Sequence, residues 1–183
     1  SKRLRSSQPM EFLPAQTAPA SAPSFFWNET PIRTYLFDAL SLLLPAGEAF
    51  VIDAVEAAIG PMPADAALAQ ACRELVAEEQ SHQRAHRQYN DRLAARGYDL
   101  APRERAIAAD LARISAGLSV DRRLCLAAAF EHITATIARA ALRDPALLAP
   151  SGAPQCRTWR WHCAEEVAHV AVTHDLLAHR KVG

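Results

Sequence analysis

Glycine is scarce in this chain, six residues in 183, and runs of β-branched residues are few. Both shortages work against a sheet, because tight turns draw on glycine and strands on Val, Ile and Thr. Net charge is missing as well: 20 Lys and Arg balance 20 Asp and Glu. No overall field is therefore available to hold nucleic acid or an anionic membrane. No stretch reaches the roughly 18 uninterrupted apolar residues of a membrane span. The basic start, Ser1 to Arg5, runs into Ser, Gln and Pro where a signal peptide needs an apolar block. Cys72, Cys125, Cys156 and Cys163 show no Cys-x-x-Cys spacing, and a chain of this size builds a core without staples. They read as reduced, buried thiols, and a cytoplasmic location is expected. What the chain does have is alanine, 39 residues, within a 50% hydrophobic composition. An all-α fold is the expectation, since alanine costs least in a helix.

Four prolines, Pro9, Pro14, Pro19 and Pro23, mark residues 1–29 as a disordered or docked tail ending in the aromatic triplet Phe25, Phe26 and Trp27. A helical domain is expected over residues 30–181. Thr30 and Pro31 make a helix start, and Pro45, Ala46 and Gly47 should interrupt or kink that helix before it resumes from Glu48 to Ile59. A long helix is predicted from Ala64 to Arg96, closed by Gly97, then shorter ones over Pro102 to Leu118 and Val120 to Arg143. After a turn at Pro150 to Pro154, a last helix runs to His179. Four long helices and a connecting one suggest a four-helix bundle.

Alternating steps of three and four pick out the buried seams, and polar residues lie in the middle of them. The first helix gives Leu44, Glu48, Ile52, Val55 and Ile59; the second gives Leu68, Cys72, Leu75, Glu79, His82, His86, Tyr89 and Leu93. Leu124, Ala128, Glu131, Ala135, Ala138 and Leu142 follow, then Trp159, His162, Glu166, His169, Thr173 and Leu176. Every long helix thus presents a Glu inward, and two add a His three residues later. The block Ala77 to His82 repeats as Ala164 to His169, each preceded by a lone Glu, Glu48 or Glu131. Two half-sites from two helix pairs follow.

Burying four carboxylates without compensation costs several kcal/mol each, so the core needs cations or shared protons. Two divalent ions balance four carboxylates, and Glu and His at i and i+3 reach the same ion from one helix side. One Glu from each of two helices plus Glu-x-x-His from the other two is the ligand rule of ferritin-like carboxylate bundles. Glu48, Glu79, His82, Glu131, Glu166 and His169 are the expected ligands, with Glu79 and Glu131, or their partners, as bridges. His162 and His86, one turn away on their own helices, are added as ligands, the alternative being hydrogen bonding behind the ligand shell. Glu78 and Glu165 stand beside the ligand positions and are candidates for moving a proton or for taking a neighbour's place. Tyr89 either donates to a bound species or fills the core. Asp53 and Glu56 compete with Glu48, while His132, His174 and His179 fall off the seams.

At Leu44 to Glu48, Glu79 to His82 with His86 to Asn90, Phe130 to Ala135 and Trp161 to Glu166, the chain resembles the bacterial predicted metal-dependent hydrolases over about residues 40–178. That resemblance implies a ferritin-like fold. The arrangement of His162, Glu166 and His169 also resembles the ligand pattern of the di-iron arylamine N-oxygenases.

The leading functional expectation is an O2-activating oxidase or oxygenase of a small organic substrate. Two iron ions are its expected cofactor, with manganese or zinc as alternatives, because carboxylate and imidazole ligands without thiolate suit these metals. The alternatives are a dinuclear metal-dependent hydrolase and a non-catalytic iron or oxygen-binding protein. A small-molecule substrate is the expected partner. An electron-donating reductase and a homodimer stay open, and neither nucleic acid nor membrane is expected.

Overall fold

Thr30 caps the first helix, its hydroxyl accepting from the backbone N–H of Arg33, and Pro31 occupies the first turn, where its missing N–H costs nothing. The structure, a computed structural model, describes residues 26–60, 62–63 and 66–182. The proline-rich segment 1–25, including Phe25, lies outside the described residues. Five helices follow: α1 Pro31–Ile59, α2 Ala67–Ala94, α3 Ala101–Ser115, α4 Val120–Arg143 and α5 Pro154–His179. There is no strand among the described residues, as the composition implies.

Of the two outcomes expected at Pro45, an interruption or a kink, the interruption does not occur; α1 is one continuous helix with Pro45 inside it. Proline removes the N–H that would have bonded the carbonyl of Ser41, one turn earlier. The side-chain amide of Asn90 on α2 donates to that carbonyl instead, at 3.1 Å, and Gln83 donates to the carbonyl of Pro45 at 2.9 Å. One side chain of α2 thus repairs the gap in α1, and a second ties α2 to the same turn. At the far end of α2, Gly97 takes a φ of 98°, the left-handed conformation that suits glycine after a helix.

Helix α1 packs on α2 and α4, and α5 packs on α4 and α2, so the order around the bundle is α1, α2, α5, α4. Helices α1 and α5 run one way, α2 and α4 the other, because the same end of the bundle joins Val55 and Ala58, Cys72 and Leu75, Leu124, and Leu176. At the opposite end Phe37, Leu93, Ala141 and Trp159 meet in a second apolar cluster. The crossover from α2 to α4 must therefore travel the length of the bundle, and α3 does so on the outside of α1 with no fully buried residue. The bundle has an apolar plug at each end and the inward glutamates in the layer between. Trp27 and Asn28 close one end: Asn28 is fully buried and donates to the carbonyl of Leu147 while accepting from the N–H of Ala149.

Two composition-level expectations change. By length and composition α4 is apolar enough to cross a membrane, which the sequence had been read as excluding. Its buried seam, from Leu124 through Glu131 to Ala141, is spent on the bundle interior. Cys125, expected to be buried, is exposed on α4, whereas Cys72, Cys156 and Cys163 are buried.

Close approach of α1 and α4 beside the glutamate layer depends on Gly47, where an added Cβ would stand 2.3 Å from the ring tip of Phe130. Gly47→Ala gains roughly 1 kcal/mol of helix propensity. It forces the ring aside against a packed interior at a cost of about 1–3 kcal/mol, so the variant should melt below the parent in thermal denaturation.

Candidate metal centre

The inward layer is fully enclosed: Glu48, Glu79, His82, Glu131, Glu166 and His169 are all between 0% and 2% exposed. Each lies on the seam that packs its helix into the bundle, so side-chain packing, not a loop, sets its position. The alternatives on those helices point outward, with Asp53, Glu56, His132, His174 and His179 exposed.

Two imidazoles define the centre. Nδ1 of His169 lies 2.6 Å from Oε1 of Glu79, 3.4 Å from Oε2 of Glu131 and 3.9 Å from Oε1 of Glu166. Nδ1 of His82 lies 3.4 Å from Oε1 of Glu166 and 3.7 Å from Oε1 of Glu79. Glu79 and Glu166 therefore stand between both rings, with Glu131 beside His169 alone. Ligand atoms of Glu79, His82, Glu166 and His169 lie within 4.8 Å of one another, and so do those of Glu48, His82 and His162.

Glu78 and Glu165 sit behind the rings, crosswise. Nε2 of His82 on α2 is 2.8 Å from Oε2 of Glu165 on α5, and Nε2 of His169 on α5 is 2.9 Å from Oε2 of Glu78 on α2. A carboxylate only accepts, so it holds one ring proton on Nε2 and leaves Nδ1 facing the centre as the atom a metal would take once its own proton is displaced. The side chains of Glu78 and Glu165 are 47% and 35% exposed, linking the buried rings to solvent.

The structure does not bring every candidate inward. The hydroxyl of Tyr89 donates to Oδ1 of Asp38, away from the centre, while burial and Asp38 both push its pKa up. His86 belongs to neither group of converging ligands; its Nδ1 faces Ser41 at 2.9 Å and its Nε2 faces Nδ1 of His162 at 3.2 Å. His162 turns its Nε2 toward Oε1 of Glu166 at 3.2 Å. Thr134, which the sequence reading passed over, donates to Oε2 of Glu166 at 2.7 Å. It stands three residues after Glu131, where the other motifs have His, and that position was the signal.

The electrostatics of the cluster without cations show how strained it is. Burial, then the neighbouring Glu79, raises the carboxyl of Glu48 to about 9. Burial also leads in raising Glu131 to about 7, with His169 opposing. For His82 burial alone would lower the pKa, but the carboxylates of Glu166, Glu79 and Glu165 around the ring lift it to about 10. The carboxylates of Glu131 and Glu79 overcome burial in the same way at His169 and take it to about 11. Burial holds His86 at about 3 and His162 well below the ordinary imidazole value.

The residues fit a bound metal ion. Both oxygens of Glu48, Glu79 and Glu131 and Nδ1 of both His82 and His169 are buried without a hydrogen-bond partner. Such atoms are costly to desolvate and otherwise need an explanation, and a set of oxygen and nitrogen donors suits Fe, Mn or Zn. Protons and cations compete for the same atoms. At pH 7 Glu48, His82 and His169 hold protons that a metal must displace, so binding should tighten as pH rises from 6 to 8. Calorimetric titration with Zn(II) in buffers of different ionisation enthalpy should show proton release; affinity independent of pH would contradict the assignment.

No curated protein and no solved structure matches the chain. The family described as predicted metal-dependent hydrolase matches residues 15–182, taking in all four glutamates and both Glu-x-x-His pairs. With nearly its whole length matched, the chain belongs to that family.

Proposed function

We propose that the chain is a dinuclear metal-dependent hydrolase, with Glu48, Glu79, His82, Glu131, Glu166 and His169 as ligands. The observation that carries this reading is the convergence of bare carboxylate oxygens and bare Nδ1 atoms in one sealed layer. When bound, two such ions supply Lewis acidity and bring the pKa of a coordinated water close to neutrality. Oε2 of Glu165 and Oε2 of Glu78 hold the Nε2 protons of His82 and His169, fixing both rings and giving each a proton path to the surface. The indole of Trp161, whose Nε1 donates to Oε1 of Glu165 and whose ring stands edge-on to His82, fixes the first of these carboxylates.

A second reading, O2 activation at a di-iron centre, is favoured by one feature. A cavity of about 30 Å³ adjoins His162, walled by Leu40, Leu44, Ile137, Ala138 and Trp159. An apolar groove on the surface between α1 and α4 shares two of its walls, Leu40 and Ile137. A chamber of that size and apolarity suits a molecule as small as O2.

Metal-depleted protein reloaded with Zn(II), and separately with Fe(II) under anaerobic conditions, separates the two. Hydrolysis of chromogenic esters or phosphoesters by the zinc form, unaffected by O2, is the expected result. An inert zinc form together with O2 consumption by the ferrous form would replace hydrolysis with the oxidative reading. On the hydrolytic reading Glu165→Gln should lower kcat by roughly 10²–10⁴-fold if the carboxylate carries the proton. A change confined to metal affinity would reduce its role to orienting His82.

A further inference from the structure

Proline 45 and His162 are joined by a chain of hydrogen bonds in which each link has one permitted direction. The carbonyl of Ser41, left without a helical donor by Pro45, faces Nδ2 of Asn90 at 3.1 Å, and Oε1 of Glu104 on α3 faces the same nitrogen at 3.2 Å. Both are acceptors, so the amide nitrogen of Asn90 must lie between them and its oxygen must point to Oγ of Ser41, 2.9 Å away. An amide oxygen cannot donate, so the Ser41 hydroxyl gives its proton to Asn90. Only lone pairs then remain on Oγ for Nδ1 of His86 at 2.9 Å, and that nitrogen must carry the ring proton. Both His86 and Ser41 are 0% exposed, and a neutral buried imidazole has a single N–H. Nε2 of His86 is therefore bare, and Nδ1 of His162 at 3.2 Å must donate to it. The remaining nitrogen of His162, Nε2, is left without a proton and faces a second acceptor, Oε1 of Glu166 at 3.2 Å, a pairing that a cation between the two would relieve.

We propose that Asn90, Ser41 and His86 act as positioning residues that set the tautomer of His162, spending its Nδ1 on His86 and leaving Nε2 bare beside Glu166 in the centre. His86 is then a support and not a ligand. The inference rests on the metal-centre reading for its purpose, but the tautomers themselves exist without metal.

The test is ¹⁵N NMR of histidine-labelled, metal-free protein, followed by Co(II) titration. Wild-type His86 and His162 should both be protonated at Nδ1. Asn90→Ala takes away the acceptor of the Ser41 hydroxyl, which then donates to His86, moves both ring protons to Nε2 and weakens Co(II) binding about 10–100-fold. The double variant Asn90→Asp with Glu104→Gln gives up the donor to the Ser41 carbonyl, at a cost in stability, but keeps an acceptor for the Ser41 hydroxyl and a donor for the new carboxylate, and should retain the wild-type tautomers. A wild-type His162 protonated at Nε2, or unchanged tautomers in Asn90→Ala, overturns the proposal. If Asn90→Ala fails to fold, the wild-type spectrum and the double variant still decide. Correct tautomers with no Co(II) binding would leave the chain standing and sink the metal-centre reading instead.

Discussion

Everything in this bundle is arranged around the desolvation of four carboxylates. Glu48, Glu79, Glu131 and Glu166 occupy a single layer with an apolar plug above and another below. A buried charge without a partner costs several kcal/mol, and the low dielectric that makes it costly also makes a correctly placed cation highly effective. In its absence the cluster takes up protons, which is why Glu48 is pushed up to about 9 and His169 to about 11. A bundle stabilised by its plugs can hold a layer that would not fold alone, and the layer in turn excludes alternative packings, since no other register brings acid opposite imidazole.

The crosswise pairs behind the rings follow from the same constraint. An imidazole can present a bare Nδ1 inward only if something accepts the proton on Nε2, and the acceptor is strongest when it is a carboxylate. In each Glu-x-x-His block the residue before the ligand Glu serves the opposite helix: Glu78 holds His169 and Glu165 holds His82. Two adjacent glutamates on one helix point in different directions because successive residues are about 100° apart on a helix. The inner one is sealed in and the outer one reaches water.

Much of this could be read from the chain. The seams that place Glu79 and His82 with Leu75 and Tyr89, and Glu166 and His169 with Trp159 and Leu176, are the ones the structure buries. Periodicity works here because the site is built on helices, where spacing alone dictates the face. What it could not supply is distance between helices. The position of Glu166 between both rings, the separation of His86 from the cluster and the turn of the Tyr89 hydroxyl toward Asp38 all depend on how seams mesh across an interface. The unbroken run of α1 through Pro45 escaped periodicity for the same reason. A proline breaks a helix when nothing replaces the lost hydrogen bond, and the replacement, Asn90, comes from another helix 45 residues away along the chain.

The two halves of the centre are not equivalent, although the sequence repeat suggests they should be. Beyond Glu48, the α1–α2 half has His82 and a ring nitrogen of His162 within reach. The α4–α5 half has Glu131 and His169, and the repeat's counterpart of His162, four residues before Glu79, is the apolar Leu75. An ion in the first half would see one neutral donor more, at no cost in charge. An ion in the second would rely on carboxylates. Glu48, the more strongly disfavoured as an anion, stands in the half with the richer set of neutral donors, where neutralising it demands a cation most. Filling should therefore begin there, and the second ion then enters a layer whose charge the first has already halved.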